Sequence, residues 1–354
     1  MKIAIITDTH WGVRNDSLIQ HNYMKRFLDE VFFPRLVSDG IGHVVHGGDI
    51  VDRRKYVNFV TARRLREDFL RPLEKHNIET HIIAGNHDTY YKNTNDLNAL
   101  DELIKDKYDN VELYTDSTTV VFGGVPILFV PWITEENRED TLLQINNTDA
   151  QIAIGHLELN GFEMHRGQVN DHGDDPKIFD KFDLVLSGHY HTRSNSGNIY
   201  YLGTPCQYTW SDYGEVKGFH ILDTETRGLE FIPNPYQIFH KVFYDDLNKG
   251  IDEVITLDVS KYQNCYVKVV VKNKTNPYWF DLVIDKIEKA NVADLQVVED
   301  HFHLDLEADS DIISEAEDTM SIIRKYITGM GINTDKKRVE KIIQDLYNEA
   351  QEII

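Results

Sequence analysis

The sequence predicts an α/β protein: a four-layer α/β/β/α sandwich, then a small α/β unit, then a C-terminal helix pair. Three observations predict it. From Lys2 to Lys105, short β-branched runs alternate with amphipathic helical stretches, the order that gives parallel strands with helices packed outside them. Beyond Thr118 the rhythm changes to a hairpin and isolated short strands, enough for a second sheet. After Asp246 a strand–helix–strand unit and two apolar helical stripes follow.

Taken in order, Lys2–Thr7 is a continuous β-branched run with no alternation, as in a strand buried on both faces. His21–Val37 sets Met24, Phe27, Leu28, Val31 and Leu36 on one helical face and stops at Asp39-Gly40. Ile41–His46 is a strand, Val57–Lys75 a helix, Thr80–Ala84 a strand, and Asp96–Lys105 a helix with Leu97, Leu100 and Leu103. Thr118–Phe122 and Pro126–Val130 flank Gly123-Gly124 and predict a hairpin. Ala150–Ile154 and Leu184–Leu186 return to buried single strands. Ile199–Leu202, Gly218–Asp223 and Gly228–Ile232 are short strands that close the sandwich, giving a first domain of residues 1–245.

Residues 246–305 form the small α/β unit, with strands Tyr266–Val271 and Leu295–Val298 around helix Trp279–Lys289. Residues 306–354 hold an acidic linker and two helices. The first carries Ile312, Ala316, Met320, Ile323 and Ile327 and ends at Gly329. The second starts after Thr334, a good N-cap, and carries Val339, Ile342, Leu346, Ala350 and Ile353.

A chain of 354 residues, 41% hydrophobic and 27% charged, suits a large globular domain with a smaller one. Its two cysteines, Cys206 and Cys265, lie far apart and in no CxxC pattern, which argues against a disulfide framework or thiolate zinc site. The first apolar run, Ile3–Ile6, is too short for a signal peptide, and no stretch is long enough to span a membrane. A soluble, cytoplasmic protein is expected. The net charge of −22 taken alone opposes a nucleic-acid partner. Two facts temper that. Acids that hold metal are neutralised by it, and no Lys or Arg occurs from Asn291 to Ile323. Basic clusters exist at Arg53-Arg54-Lys55, Arg63-Arg64-Arg66 and Lys336-Lys337-Arg338.

The chemistry is concentrated where strands end. Asp8-Thr9-His10, Gly47-Gly48-Asp49, Gly85-Asn86-His87-Asp88, Gly155-His156 and Gly188-His189-Tyr190-His191 each follow an apolar run. In open sheets of β-α units, sites form at the carboxyl ends of the strands. A single strand-end Asp is ordinarily a turn residue and a single His a packed one; the ordered set carries the argument. Two divalent cations roughly 3.5–4 Å apart can clamp a phosphodiester and generate hydroxide near neutral pH. Imidazole and carboxylate together suit manganese, iron or zinc better than calcium. A neutral carboxamide limits excess negative charge where an anionic substrate lands, and adjacent glycines leave room for phosphate.

This set resembles the calcineurin-like metallophosphoesterase superfamily. Within it, the chain is most similar to the SbcD-type nuclease subunits of double-strand-break repair, and specifically to the recombination endonuclease subunits of T-even-like phages. Further similarity lies in Trp132 with Glu135-Glu136-Asn137, in Leu157–Phe162 and in Tyr201–Pro205. The resemblance implies a DNA nuclease with two divalent ions, manganese first and magnesium second. It implies that Asp8, His10 and His191 hold one ion, that Asn86, His156 and His189 hold the other, and that Asp49 bridges both. It makes His87 a catalytic residue facing the scissile phosphate, with Asp88 orienting its neighbours. Some family members carry a histidine where this chain has Asp52, which puts the balance of exonuclease and endonuclease activity in question. The resemblance also implies an SMC-like (SbcC-type) ATPase bound through the C-terminal helices, a homodimer through N-terminal helices, and host cytoplasm for a phage-encoded chain.

Other features have two readings each. Arg53-Arg54-Lys55 is either a phosphate-backbone contact or a solvated loop, and Arg63-Arg64-Arg66 is expected on a solvated helix face. Tyr90-Tyr91-Lys92 either stacks on a splayed base or packs as a loop. Phe32, Phe33, Phe59 and Val60 are either core or dimer surface. Two further functions stand beside the nuclease: a phosphoesterase acting on phosphoproteins or small phosphodiesters, and a DNA-end-holding scaffold with little cleavage.

Overall fold

The β-branched runs become strands buried on both faces because each sheet is covered twice. The computed structural model describes residues 1–165 and 168–299, together with Val339. Among these, β1 is Lys2–Ile6, β2 His43–His46, β3 Glu79–Ile83, β4 Val111–Tyr114, β5 Thr118–Phe122, β6 Val125–Val130, β7 Ile152–His156, β8 Glu163–His165 and β9 Gln168–Val169. Then come β10 Leu184–Gly188, β11 Ser194–Ser196, β12 Ile199–Tyr201, β13 Gly218–Asp223, β14 Leu229–Pro233, β15 Phe239–Asp245, β16 Tyr266–Asn273 and β17 Asp294–Glu299. Two six-stranded sheets result, β14-β13-β1-β2-β3-β4 and β11-β12-β10-β7-β6-β5. β1 to β4 are parallel, as are β6, β7, β10 and β12; β13 and β14 extend the first sheet with antiparallel pairs, and antiparallel β5 and β11 form the two edges of the second.

Side-chain alternation sorts the layers. Ile3, Ile5, Val45 and Ile83 of the first sheet meet Ile127, Phe129, Ile152, Ile154 and Leu186 of the second. Ala4, Ile6, Val44 and Ile82 turn outward onto helices through Phe27, Leu28, Phe32, Phe69 and Leu100. Leu128, Ala153, Val185 and Tyr201 turn outward from the second sheet onto Ile145, Phe179 and Phe182. The four-layer expectation and the metallophosphoesterase-type architecture are thus met.

Two long helices cover the first sheet. One runs over 18–38 and the other over 59–75, and each passes through a π-turn, Leu28–Phe32 and Arg66–Leu70. Proline explains both. Pro34 and Pro72 lack the N–H that a regular turn would use and would crowd the carbonyl four residues back. The preceding N–H, of Phe33 or Arg71, instead reaches back five residues to Leu28 O or Arg66 O. Gly123 and Gly124 form the hairpin turn, both with positive φ (58° and 87°).

The strand–helix–strand module is present as β16, the helix Pro277–Glu288 and β17, but a third parallel strand joins it. β15 pairs with β16, so the small sheet begins at Phe239, ahead of the 245/246 boundary expected from sequence. Phe239 and Tyr266 also stack at 5.1 Å and join the core under the first sheet. The acidic linker, the C-terminal helix pair and its basic cluster lie outside the described residues. No helix among the described residues is long and apolar enough to cross a membrane.

Candidate metal centre

All seven candidate ligands and His87 meet at one end of the sandwich, over the carboxyl ends of β1, β2, β3, β7 and β10. The chain reaches them by bending sharply. Asp8, His10, Asp49 and His189 have φ of 51°, 43°, 54° and 88°, left-handed values that non-glycine residues hold only under constraint. Glycines make the room. A Cβ on Gly188 would run into Thr7 Oγ1 and lie 2.7 Å from Asp8 Oδ2, and one on Gly85 would run into Asp49 Oδ1.

Donor atoms of Asp8, His10 and His191 lie within 4.8 Å of one another, as do those of Asp49, His156 and His189. In the first group His10 Nε2 and His191 Nε2 are 3.1 Å apart. In the second, Asn86 Oδ1 lies 2.9 Å from His156 Nε2 and 3.0 Å from His189 Nδ1. Asp49 stands between: its Oδ2 is 3.3 Å from His156 Nε2 and 3.8 Å from His10 Nε2. His10, Asp49 and His87 also form a possible ligand trio.

Backbone groups fix the rings. His156 Nδ1 donates to Gly47 O at 2.9 Å, which turns Nε2 inward. His87 Nδ1 donates to Asp52 O at 2.5 Å, and its ring stands edge-on to His10 with centroids 4.9 Å apart. Asp52 has Oδ1 3.7 Å from His10 Nδ1. Asp88 accepts from Ile50 N at 2.9 Å and Val51 N at 3.1 Å on one oxygen, and from Gly85 N at 2.8 Å on the other. It clamps the Asp49 loop to the Asn86 loop.

Among the protein groups alone the electrostatics are frustrated. Burial pushes the Asp8 carboxyl up to about 7, and burial with nearby Asp49 does the same to Asp88. Burial works against the charge on His156, but Asp49 outweighs it and raises the imidazole to about 9. Burial also opposes ionisation of Asp49, yet His156 and His87 hold it well below the usual carboxylate range. Two buried carboxylates, Asp8 and Asp49, among buried imidazoles suit divalent cations, and the two donor clusters can each hold one.

Several supporting residues carried no sequence signal. The Tyr208 hydroxyl donates to Asp8 O at 2.9 Å and packs its ring 5.6 Å from that of His10. The Lys217 ammonium is buried, 2.7 Å from Asp212 Oδ1 and 2.8 Å from both Glu215 Oε2 and His191 O. Trp132, noted in sequence only by similarity, walls the second cluster, 5.1 Å from the His189 ring. Arg54 is committed to Thr89 O at 3.0 Å and Tyr91 O at 3.3 Å, and Arg53 to Asp16 at 3.1 Å, so both join loops together. Tyr90 and Tyr91 pack edge to face and stay 36% and 50% exposed. Phe32 and Phe33 are core, whereas Phe59 is 93% exposed, beside exposed Val60 and Tyr56.

Comparison with known proteins finds relatives along most of the chain. The chain is 34% identical over 358 residues to Exonuclease subunit 1 of Enterobacteria phage T4, covering 99% of each. It is 24% identical to the SbcD component of the SbcCD nuclease of Staphylococcus epidermidis, over 80% of this chain and 79% of that one. It is 25% identical to the DNA double-strand break repair protein Mre11 of Methanocaldococcus jannaschii, over 87% of each. The profile described as Calcineurin-like phosphoesterase matches residues 1–193, the stretch that supplies every candidate ligand. The chain therefore belongs to the calcineurin-like phosphoesterase family.

Proposed function

We propose that the chain is a DNA nuclease subunit that hydrolyses phosphodiester bonds in double-strand-break processing and recombination. The observation that carries this is Asp49, one carboxylate facing both donor clusters, in a chain whose relatives along nearly their full length are nuclease and break-repair proteins.

Asp8, His10 and His191 would hold one divalent ion, Asn86, His156 and His189 the other, and Asp49 both. The mixed nitrogen and oxygen donors suit manganese, iron or zinc, and the resemblance to SbcD-type nucleases favours manganese among them, with magnesium second. Bound there, the ions would neutralise the phosphate and supply a nucleophile at neutral pH. The chain's own residues do the rest. Asn86 adds a ligand without adding charge beside an anionic substrate. His87, its Nδ1 fixed by Asp52 O, would use Nε2 to stabilise charge on the phosphate or protonate the departing sugar oxygen. Trp132 shields the His156–His189 side from water.

Partner and assembly belong to the same reading. An SMC-like ATPase would bind through the C-terminal helices and supply basic DNA-binding surface. The exposed Tyr56, Phe59 and Val60 would face a second copy. The unit built on β15 to β17 would cap the site, and the protein would work in the cytoplasm.

End-labelled duplex and single-stranded DNA, incubated with manganese beside an Asp49→Asn control and a small chromogenic phosphodiester, tests this. Metal-dependent DNA degradation lost in the variant is expected, and the label position gives the polarity. Hydrolysis of the small diester with DNA intact, even after the ATPase is added, would overturn it in favour of a small-substrate phosphoesterase.

A further inference from the structure

The first sheet carries a second group of ligand-type side chains, at the end of its strands away from the centre described above. His43 opens β2 and stands in register with Glu79, which opens β3. His81 follows two residues later, on the same face as Glu79. Donor atoms of His43, Glu79 and His81 lie within 4.8 Å of one another.

The polar bookkeeping of this group does not close on protein atoms. His43 Nδ1 is 3.2 Å from Glu79 Oε2, yet it is buried without an aligned hydrogen bond. His81 is only 6% exposed. Its Nδ1 meets the Tyr114 hydroxyl at 2.9 Å, and that hydroxyl donates to Glu112 Oε2 at 2.5 Å. A hydroxyl whose proton goes to Glu112 must accept from His81, so Nδ1 carries the ring proton and Nε2 keeps its lone pair. That Nε2 is buried with no hydrogen-bond partner, an arrangement that ordinarily costs about 1–3 kcal/mol. Phe122, with its centroid 5.0 Å from His81 and 5.6 Å from His43, holds both rings in place.

We propose that His43, Glu79 and His81 form a separate cation site that takes one zinc ion, with water completing the coordination. Two imidazoles and a carboxylate are a common zinc set, and donors about 2.1 Å from a tetrahedral ion stand about 3.4 Å apart. The His43–Glu79 pair at 3.2 Å already has that spacing. The Glu112–Tyr114–His81 chain is the outer support that keeps a ligating ring in one tautomer. Glu79 and Glu112 face solvent, with side chains 67% and 70% exposed, and give the ion a path in. The site would staple β2 to β3 at the end of the sheet away from the candidate metal centre.

Zinc counting tests it. The full chain is stripped with chelator, dialysed against buffered free zinc, and its metal content measured by mass spectrometry. The pair His43→Gln with Glu79→Gln should hold one zinc fewer per chain than the parent, in the natural background and in Asp49→Asn. Cobalt(II) loaded instead should lose a tetrahedral visible band. Equal zinc content in parent and double variant would overturn the site. Glu79→Gln alone, at an exposed position, serves if the double variant misfolds. Unaltered metal content on changing Asp49 would count against the bridging carboxylate and leave the His43 comparison intact.

Discussion

The two sheets serve the centre in different ways. The first brings every carboxylate, and Asp8 and Asp49 come, like His10, from backbone with positive φ. The second brings only imidazoles; His156 stands at the regular end of β7, while His189 also has positive φ. A left-handed non-glycine residue costs about 1–3 kcal/mol, so most of the strain, three residues against one, lies after the first sheet's strands. It is held there by its own net: Thr7 Oγ1 on Asp8 at 2.6 Å, the Asp88 clamp, and Tyr208 on Asp8 O and Thr9 O. The imidazole side is tied to that net through Gly47 O and through His189 N, 3.1 Å from Asp8 Oδ1. Three of the four strained positions thus belong to the side that brings the charges, and His156 and His189 are tied onto it.

The comparison breaks most decisively at Asp49. Asp49→Asn should lower DNA cleavage by more than about 10³-fold and remove bound ions; a variant within tenfold of the parent would mean that no single first-sheet carboxylate serves both clusters. His87→Ala should cost about 10²-fold or more in turnover with metal content unchanged, which separates chemistry from ligation. Beneath the His191 loop, Lys217→Met leaves buried Asp212 and half-buried Glu215 without their cation and should destabilise by about 3–5 kcal/mol in urea unfolding. A loss below about 1 kcal/mol would show that the loop carrying His191 needs no ionic support. Gly188→Ala forces a Cβ against Thr7 Oγ1 and Gly47 O, and a loss of about 1–3 kcal/mol is expected.

The smallest effect concerns pH. Burial, helped by Arg193, lowers His220 from 6.5 to about 3. The unfolded chain takes up this proton below pH 6.5 while the folded chain does not, so stability falls as pH drops from 6.5 towards 3. His220→Phe should reduce proton uptake on unfolding by about one at pH 5, measured from the pH dependence of the urea midpoint. No change in that slope would show that His220 is protonated in the folded state.

Most of the sandwich was legible because strand ends and ligand types coincided five times in one order. What escaped did so for physical reasons. β4 (Val111–Tyr114) is a four-residue edge strand with one fully buried side chain, too short for a pattern. The helix Arg138–Asn147 buries only Thr141 and Ile145 and has almost no apolar stripe. β15 (Phe239–Asp245) breaks its alternation at His240-Lys241 and gave no strand pattern; it falls inside residues 1–245 yet pairs into the next sheet. Lys217 was invisible because a lysine is normally solvated, and only the fold gathers Asp212 and Glu215 around it. For Arg53 and Arg54, phosphate contact and a solvated loop were both open; the structure gives them partners in neighbouring loops instead. The ligand pattern was local in sequence, whereas its supports were not.

Asp88 has a consequence for how the centre tolerates motion. One carboxylate holds amides from the Asp49 loop and the Asn86 loop at once. Those loops therefore hold Asp49 and Asn86 at one spacing, and both reach across to the second sheet: Gly47 O holds His156 Nδ1, and Asn86 Oδ1 lies beside His156 and His189. Removing the Asp88 carboxylate would thus loosen both loops and the imidazoles anchored on them.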